Sequence, residues 1–72
     1  MVEEIRAEMV GTVLSVVARE GDRVVDGDTL LVLESMKMEI PVLAECTGTV
    51  SRIAVQAGAV VQSGDLVAVL ER

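Results

Sequence analysis

At 72 residues the chain has room for one domain; one cysteine and no histidine leave no internal disulfide and no ordinary zinc site to staple it. Hydrophobic residues make up 51% and none is aromatic, so the core must be built from Val, Leu, Ile, Ala and Met, with β-branched Val favouring pleated sheet. The net charge of −6 argues against nucleic acid and against an anionic membrane surface, and no apolar run approaches the roughly 20 residues of a membrane-spanning helix.

In chain order, the acidic start Met1-Val2-Glu3-Glu4 has no apolar signal region behind it. With the unpaired Cys46, which suits a reducing compartment, this makes the cytosol the expected location. A leading strand is predicted over 5–9 and a second from Gly11-Thr12-Val13. A turn follows at Glu20-Gly21-Asp22, then a short strand over 23–25, a turn at Asp26-Gly27-Asp28 and a longer strand over 29–34. A strand over 38–43 follows, then one from Gly48-Thr49-Val50, a turn at Ala57-Gly58-Ala59 and a short strand over 60–61. A turn at Ser63-Gly64-Asp65 leads to the last strand, over 66–71. A helix over 10–18 is the alternative there, but the glycine spacing and valine content favour strand. Pro41 lacks a ladder donor, so its strand should lie at a sheet edge or bend there.

These elements repeat. Set at a constant offset of 37, residues 7–34 and 44–71 are identical at 12 of 28 positions, including Gly11/Gly48, Thr12/Thr49, Val13/Val50, Gly27/Gly64, Asp28/Asp65 and Leu33/Leu70. Two copies are too few for a solenoid, so a closed object with pseudo-twofold symmetry is expected. The whole chain, 1–72, reads as one all-β domain: a flattened barrel or sandwich of two four-stranded antiparallel sheets around a shared core. Cys46 aligns with Met9 of the other copy and is expected to be a small buried residue rather than a redox centre.

Between the copies lies Ser35-Met36-Lys37-Met38-Glu39, which the repeat does not explain. The join is short enough to be a hairpin with Met36-Lys37 at its centre, where Asn-Gly or Asp-Gly would be usual because both central residues need positive φ. A local rule broken at the symmetric centre of the molecule suggests a functional constraint. Lys37 is also the only lysine; the other five basic residues are arginine. An amine, unlike a guanidinium, can lose its proton and be acylated. Without a histidine or a buried pocket to activate it, Lys37 is better placed as the substrate of another enzyme than as a catalyst. On composition alone, a solvated surface lysine is the simpler reading. Met36 and Met38 are adaptable apolar groups suited to partner contacts, although Met38 could also pack into the core, and Glu34 and Glu39 flank the tip. No acid–base pair, activated nucleophile or metal set is available for an independent enzyme.

The run Glu34-Ser35-Met36-Lys37-Met38-Glu39 resembles the attachment motif of the biotinyl domain family, and the Gly-Thr-Val and Gly-Asp repeats match the family pattern from about Ile5 to Leu70. The text from Leu33 to Glu45 is similar to small free-standing biotin carrier proteins of about this length. The resemblance implies a flattened barrel of two four-stranded sheets, the lysine on an exposed hairpin and the termini together at the other end. It implies that biotin protein ligase joins biotin, activated as an adenylate, to Lys37 through an amide, with Glu34, Met36, Met38 and Glu39 recognised by ligase and partners. It implies a carrier, itself non-catalytic, working as a monomer with a biotin carboxylase and a carboxyltransferase that passes the carboxyl group to an acyl-CoA or a keto acid. Ser35 stands where many members have Ala, a small change; the protruding thumb of some acetyl-CoA carboxylase carriers has no counterpart, and the Ala-Pro-rich linker that precedes many carriers is not seen.

Two other readings share the fold. A lipoyl carrier also presents a hairpin lysine, but its site usually has an acidic residue, Lys and Ala in place of Met-Lys-Met. An unmodified structural or interaction domain would keep the barrel and leave Lys37 bare.

Overall fold

The computed structural model describes residues 1–72, and they form eight strands and no helix. These are β1 (Val2–Arg6), β2 (Gly11–Val16), β3 (Arg23–Val24), β4 (Thr29–Ser35), β5 (Met38–Leu43), β6 (Gly48–Ile53), β7 (Val60–Val61) and β8 (Leu66–Glu71). They make two four-stranded antiparallel sheets, β1-β8-β6-β3 and β5-β4-β2-β7, in agreement with the sequence pattern. The candidate helix over 10–18 is strand β2 and the loop after it.

The offset of 37 seen in the sequence carries β1, β2, β3 and β4 onto β5, β6, β7 and β8, and so exchanges the two sheets. The registers follow it: Thr12 faces Glu34 in one sheet and Thr49 faces Glu71 in the other. The bulges follow it too. Ladders slip between Val13 and Ser15 and between Val50 and Arg52, and again between Thr29 and Leu31 and opposite Ile5/Arg6. A bulge places two consecutive residues on one side of a strand. This accounts for the neighbouring pairs Leu30-Leu31 and Val67-Ala68 being buried together, where plain alternation would send one of each pair outwards. The core is closed by equivalents from both copies, Val13 with Val50, Val24 with Val61 and Leu33 with Leu70, together with Ile5. Cys46 is buried among them, as a small core residue.

The leading strand departs from expectation. It covers Val2–Arg6, three residues earlier than predicted, and residues 7–10 form a crossover. The bonds of Ala7 explain the shift: its N–H donates to Asp65 O (2.9 Å) and its carbonyl accepts from Gly64 N–H (2.8 Å). It is thereby tied to the turn before β8 and lies beyond the β1–β8 ladder, whose last pair is Arg6 with Leu66. Ala44 does the same for the other copy, with Gly27 and Asp28. In both turns an aspartate carboxylate accepts from the N–H three residues back, Asp28 from Val25 and Asp65 from Gln62, and a glycine at φ 96 or 92° precedes it. That conformation is left-handed and almost free of cost only for glycine.

Pro41 lies in β5, an edge strand, as its missing donor requires. Its counterpart in β1, the equivalent edge strand of the other sheet, is Glu4, so of these two edges one is guarded by a proline and the other by charge.

Candidate functional site

Strands β4 and β5 are joined by the tightest connection in the chain. Ser35 pairs with Met38, and only Met36 and Lys37 lie between them. Both central residues sit in the left-handed region, with φ of 52 and 65°, the signature of a type I′ hairpin. They are the only non-glycine residues in the chain with positive φ. An L-residue there costs about 1–2 kcal/mol relative to the right-handed form. The strain is held by the sheet below: Glu34 opposite Glu39, Leu33 opposite Ile40, and Leu33 fully buried.

Gly11 lets β2 support the base of this hairpin. A Cβ at Gly11 would stand 2.9 Å from the Glu34 carbonyl oxygen and 3.6 Å from Ser35 Cβ, so only glycine allows so close an approach.

At the tip the side chains are free. Lys37 is exposed and takes part in neither of the chain's two ion pairs, Arg6–Glu4 and Arg72–Glu3. Met36 is 92% and Met38 61% exposed, so Met38 is not core and two thioethers stand in water on either side of the amine. Glu34 and Glu39 face each other across the ladder, both exposed, and neither has a cationic partner. Two carboxylates directly opposite repel one another, a local cost that a cation brought by a partner would relieve. All five residues singled out in the sequence therefore occupy one hairpin. Neither of the two sizeable surface grooves includes Lys37; one, about 480 Å³, runs along β5 past Met9, Ile40 and Val42, and the other, about 560 Å³, is lined by Ile53, Val55 and Val60. The hairpin offers a primary amine with room for a large acyl group and nothing of its own to activate it.

The termini occupy the equivalent place in the other copy. Arg72 N–H donates to Met1 O (2.9 Å), so the ends of β8 and β1 meet where β4 and β5 are joined by the hairpin. β2 starts at the hairpin, and the chain then leads to β3, which pairs with Gly48 and Thr49 beside Glu71. Hairpin and termini are thus at opposite ends of a body 33 × 18 × 17 Å.

Comparison with known proteins gives a consistent answer. A family profile described as "Biotin-requiring enzyme" matches residues 3–70. The "Biotinylated protein TB7.3 homolog" of Mycolicibacterium smegmatis is 66% identical over 44 residues, 61% of this chain and 62% of that protein. The 1.3S subunit of methylmalonyl-CoA carboxyltransferase from Propionibacterium freudenreichii is 56% identical over 36 residues, 50% of this chain and 29% of that subunit. The matches thus span less than two thirds of these curated relatives. Among solved structures, the urea carboxylase of Kluyveromyces lactis superposes with a TM-score of 0.94 at 38% identity, covering 99% of this chain and 6% of that one. A single-chain, multi-domain long-chain acyl-CoA carboxylase gives 0.92 at 38% identity, covering 99% of this chain and 7% of that one.

Proposed function

From the premise that the chain belongs to the biotin–lipoyl attachment domain family, we propose that it is a biotin carboxyl carrier in which Lys37 holds the biotin. Covalently attached biotin is the cofactor that goes with this membership and with the biotinylated relatives. The observation that carries the assignment of the site is the hairpin: the one lysine of the chain, unpaired and exposed, on a turn that non-glycine residues hold in the left-handed region.

The chain's own residues would act by position. The Lys37 amine accepts the acyl group of activated biotin, forming an amide as the activating group leaves, and loses its proton to solvent or to the ligase. The two-residue turn directs the attachment point away from the sheets, and the buried Leu33 below keeps the base of the arm from moving. Biotin held on Lys37 would supply a ring nitrogen able to carry a carboxyl group. The carrier's contribution is reach and local concentration rather than chemistry. Glu34, Met36, Met38 and Glu39 are the contacts that ligase, biotin carboxylase and carboxyltransferase would share around Lys37. Relatives such as the 1.3S carboxyltransferase subunit support a carboxylase setting, for which the cytoplasm is the expected compartment.

The test is intact mass after expression with a biotin ligase, for the parent and for Lys37→Arg. Gain of one biotinyl group in the parent alone supports the reading. A lipoyl-sized gain would assign the chain to lipoyl carriers, and no gain with ligase, biotin and ATP would leave a structural domain of this fold. In the variant the guanidinium keeps the charge and cannot be acylated, so incorporation should fall to background.

A further inference from the structure

The internal repeat provides a control for every surface residue: its equivalent at an offset of 37, in the same place on the other sheet. The outward faces of the two sheets differ under that comparison: four places charged on one sheet are uncharged on the lysine sheet, and one, Val2 against Glu39, runs the other way. On β1-β8-β6-β3 the outward residues include Glu4, Arg6, Arg23 and Arg52. At the same places, β5-β4-β2-β7 has Pro41, Leu43, Val60 and Ser15. Leu14 likewise replaces Ser51, at the bulge after Val13 that turns Ser15 outwards beside it. Val60 is 66%, Leu43 43% and Leu14 40% exposed. Val60 lies beside Thr12, Thr12 beside Glu34, and Glu34 beside Glu39, so this face is continuous with the lysine hairpin.

Folding does not require the difference, because both sheets build the same ladders and the same core without it. A contiguous apolar patch rimmed by polar groups marks an interaction surface. The only charges on the face are Glu34 and Glu39, which have no cation. A second copy of the chain would bring four carboxylates together, so self-association is disfavoured. A complementary partner has an apolar strip and a basic rim. An enzyme that presents an acyl adenylate to Lys37 has basic groups at its mouth, because it must hold the adenylate phosphate.

We propose that the outward face of β5-β4-β2-β7, centred on Leu14 and Val60, is the docking surface for the biotin protein ligase that acts on Lys37. The proposal rests on the carrier reading. It adds that the ligase reads one sheet face as well as the hairpin.

The test compares initial rates of biotinylation by purified biotin protein ligase, with biotin and ATP, over a range of carrier concentration. The variant Leu14→Ser/Val60→Arg puts the polar chemistry of the other sheet on this face. Its KM should rise about tenfold with kcat unchanged, because the hairpin is untouched. The reciprocal variant Ser51→Leu/Arg23→Val, on the opposite sheet, should leave both constants at parent values. Val60→Arg alone, at a largely exposed position, is the milder form if the double variant melts early. An unchanged KM in either lysine-sheet variant, or an equal rise in the reciprocal variant, overturns the proposal. A dimer of the parent in sedimentation that Val60→Arg dissolves would give the face to a second copy and overturn it as well. A parent that takes no biotin refutes the carrier reading itself, and is told apart by the absence of any rate.

Discussion

The hairpin end and the terminal end are built from equivalent strands and solve the same problem differently. At the hairpin, β4 and β5 are joined covalently by Met36 and Lys37, and no side-chain ion pair is used. At the termini, β8 and β1 have no covalent link and are tied by Arg72 N–H to Met1 O (2.9 Å) and by the Arg72–Glu3 ion pair (2.8 Å). A short covalent turn holds its strands without side-chain bonds, and this leaves the amine of Lys37 and two thioethers free for partners. Support from below differs in the same sense: a Cβ at Gly11 would meet the Glu34 carbonyl at 2.9 Å, whereas at Gly48 it would meet that of Glu71 at 2.5 Å.

Core truncation tests how far the equivalence extends and should have the largest effect on stability. Leu33 and Leu70 are equivalents, 1% and 0% exposed, so Leu33→Ala and Leu70→Ala should each cost about 2–5 kcal/mol. In so small a domain either loss approaches the whole stability. With no Trp or Tyr in the chain, far-UV circular dichroism during urea unfolding is the suitable measurement. Unequal losses would show that one half relaxes around the cavity better than the other. The glycines come next. Gly48→Ala and Gly11→Ala must each push back a backbone carbonyl, and the expected cost is about 1–3 kcal/mol, larger for Gly48 because its approach is closer. Gly11→Ala should also slow biotinylation, since the carbonyl it displaces belongs to Glu34 at the base of the hairpin.

Much of this comparison is legible in the amino-acid sequence. The offset of 37 shows the twofold, and the Gly-Asp pairs place the turns, because Asp28 and Asp65 accept from the backbone while Gly27 and Gly64 take positive φ. The Met36-Lys37 centre is legible as a violation: two residues unsuited to a hairpin turn, found in a hairpin turn. The start of β1 is not legible. Ile5 to Met9 alternates strictly and Val2 to Arg6 does not, yet the strand is set by Ala7 bonding to Gly64 and Asp65, at the far end of the chain. The bulges are hidden for a similar reason: Leu30-Leu31 reads as a break in alternation until the slipped ladder turns both inwards. The outer face of the lysine sheet, with no arginine, emerges from comparing the copies where they differ, at Arg23/Val60 and Arg52/Ser15, rather than where they agree.

Two smaller effects sharpen the contrast between the ends. Met36→Gly removes a left-handed methionine and should stabilise the fold by about 1 kcal/mol, less whatever the glycine gains as freedom in the unfolded chain. Biotinylation by the ligase should nevertheless become slower, because an exposed contact beside Lys37 is lost. A variant more stable and equally well modified would show that Met36 serves neither turn nor partner. The smallest effect is expected from Arg72→Ala. The pair with Glu3 is about 45% and 34% exposed on its two side chains, so water and salt screen it, and its loss should change stability by less than about 0.5 kcal/mol. Unfolding in low and high salt checks this: parent and variant should converge as salt rises. If the variant instead loses as much as a core truncation, the side-chain tie at the termini is holding β1 against β8, and the open end depends on that arginine as the closed end depends on its turn.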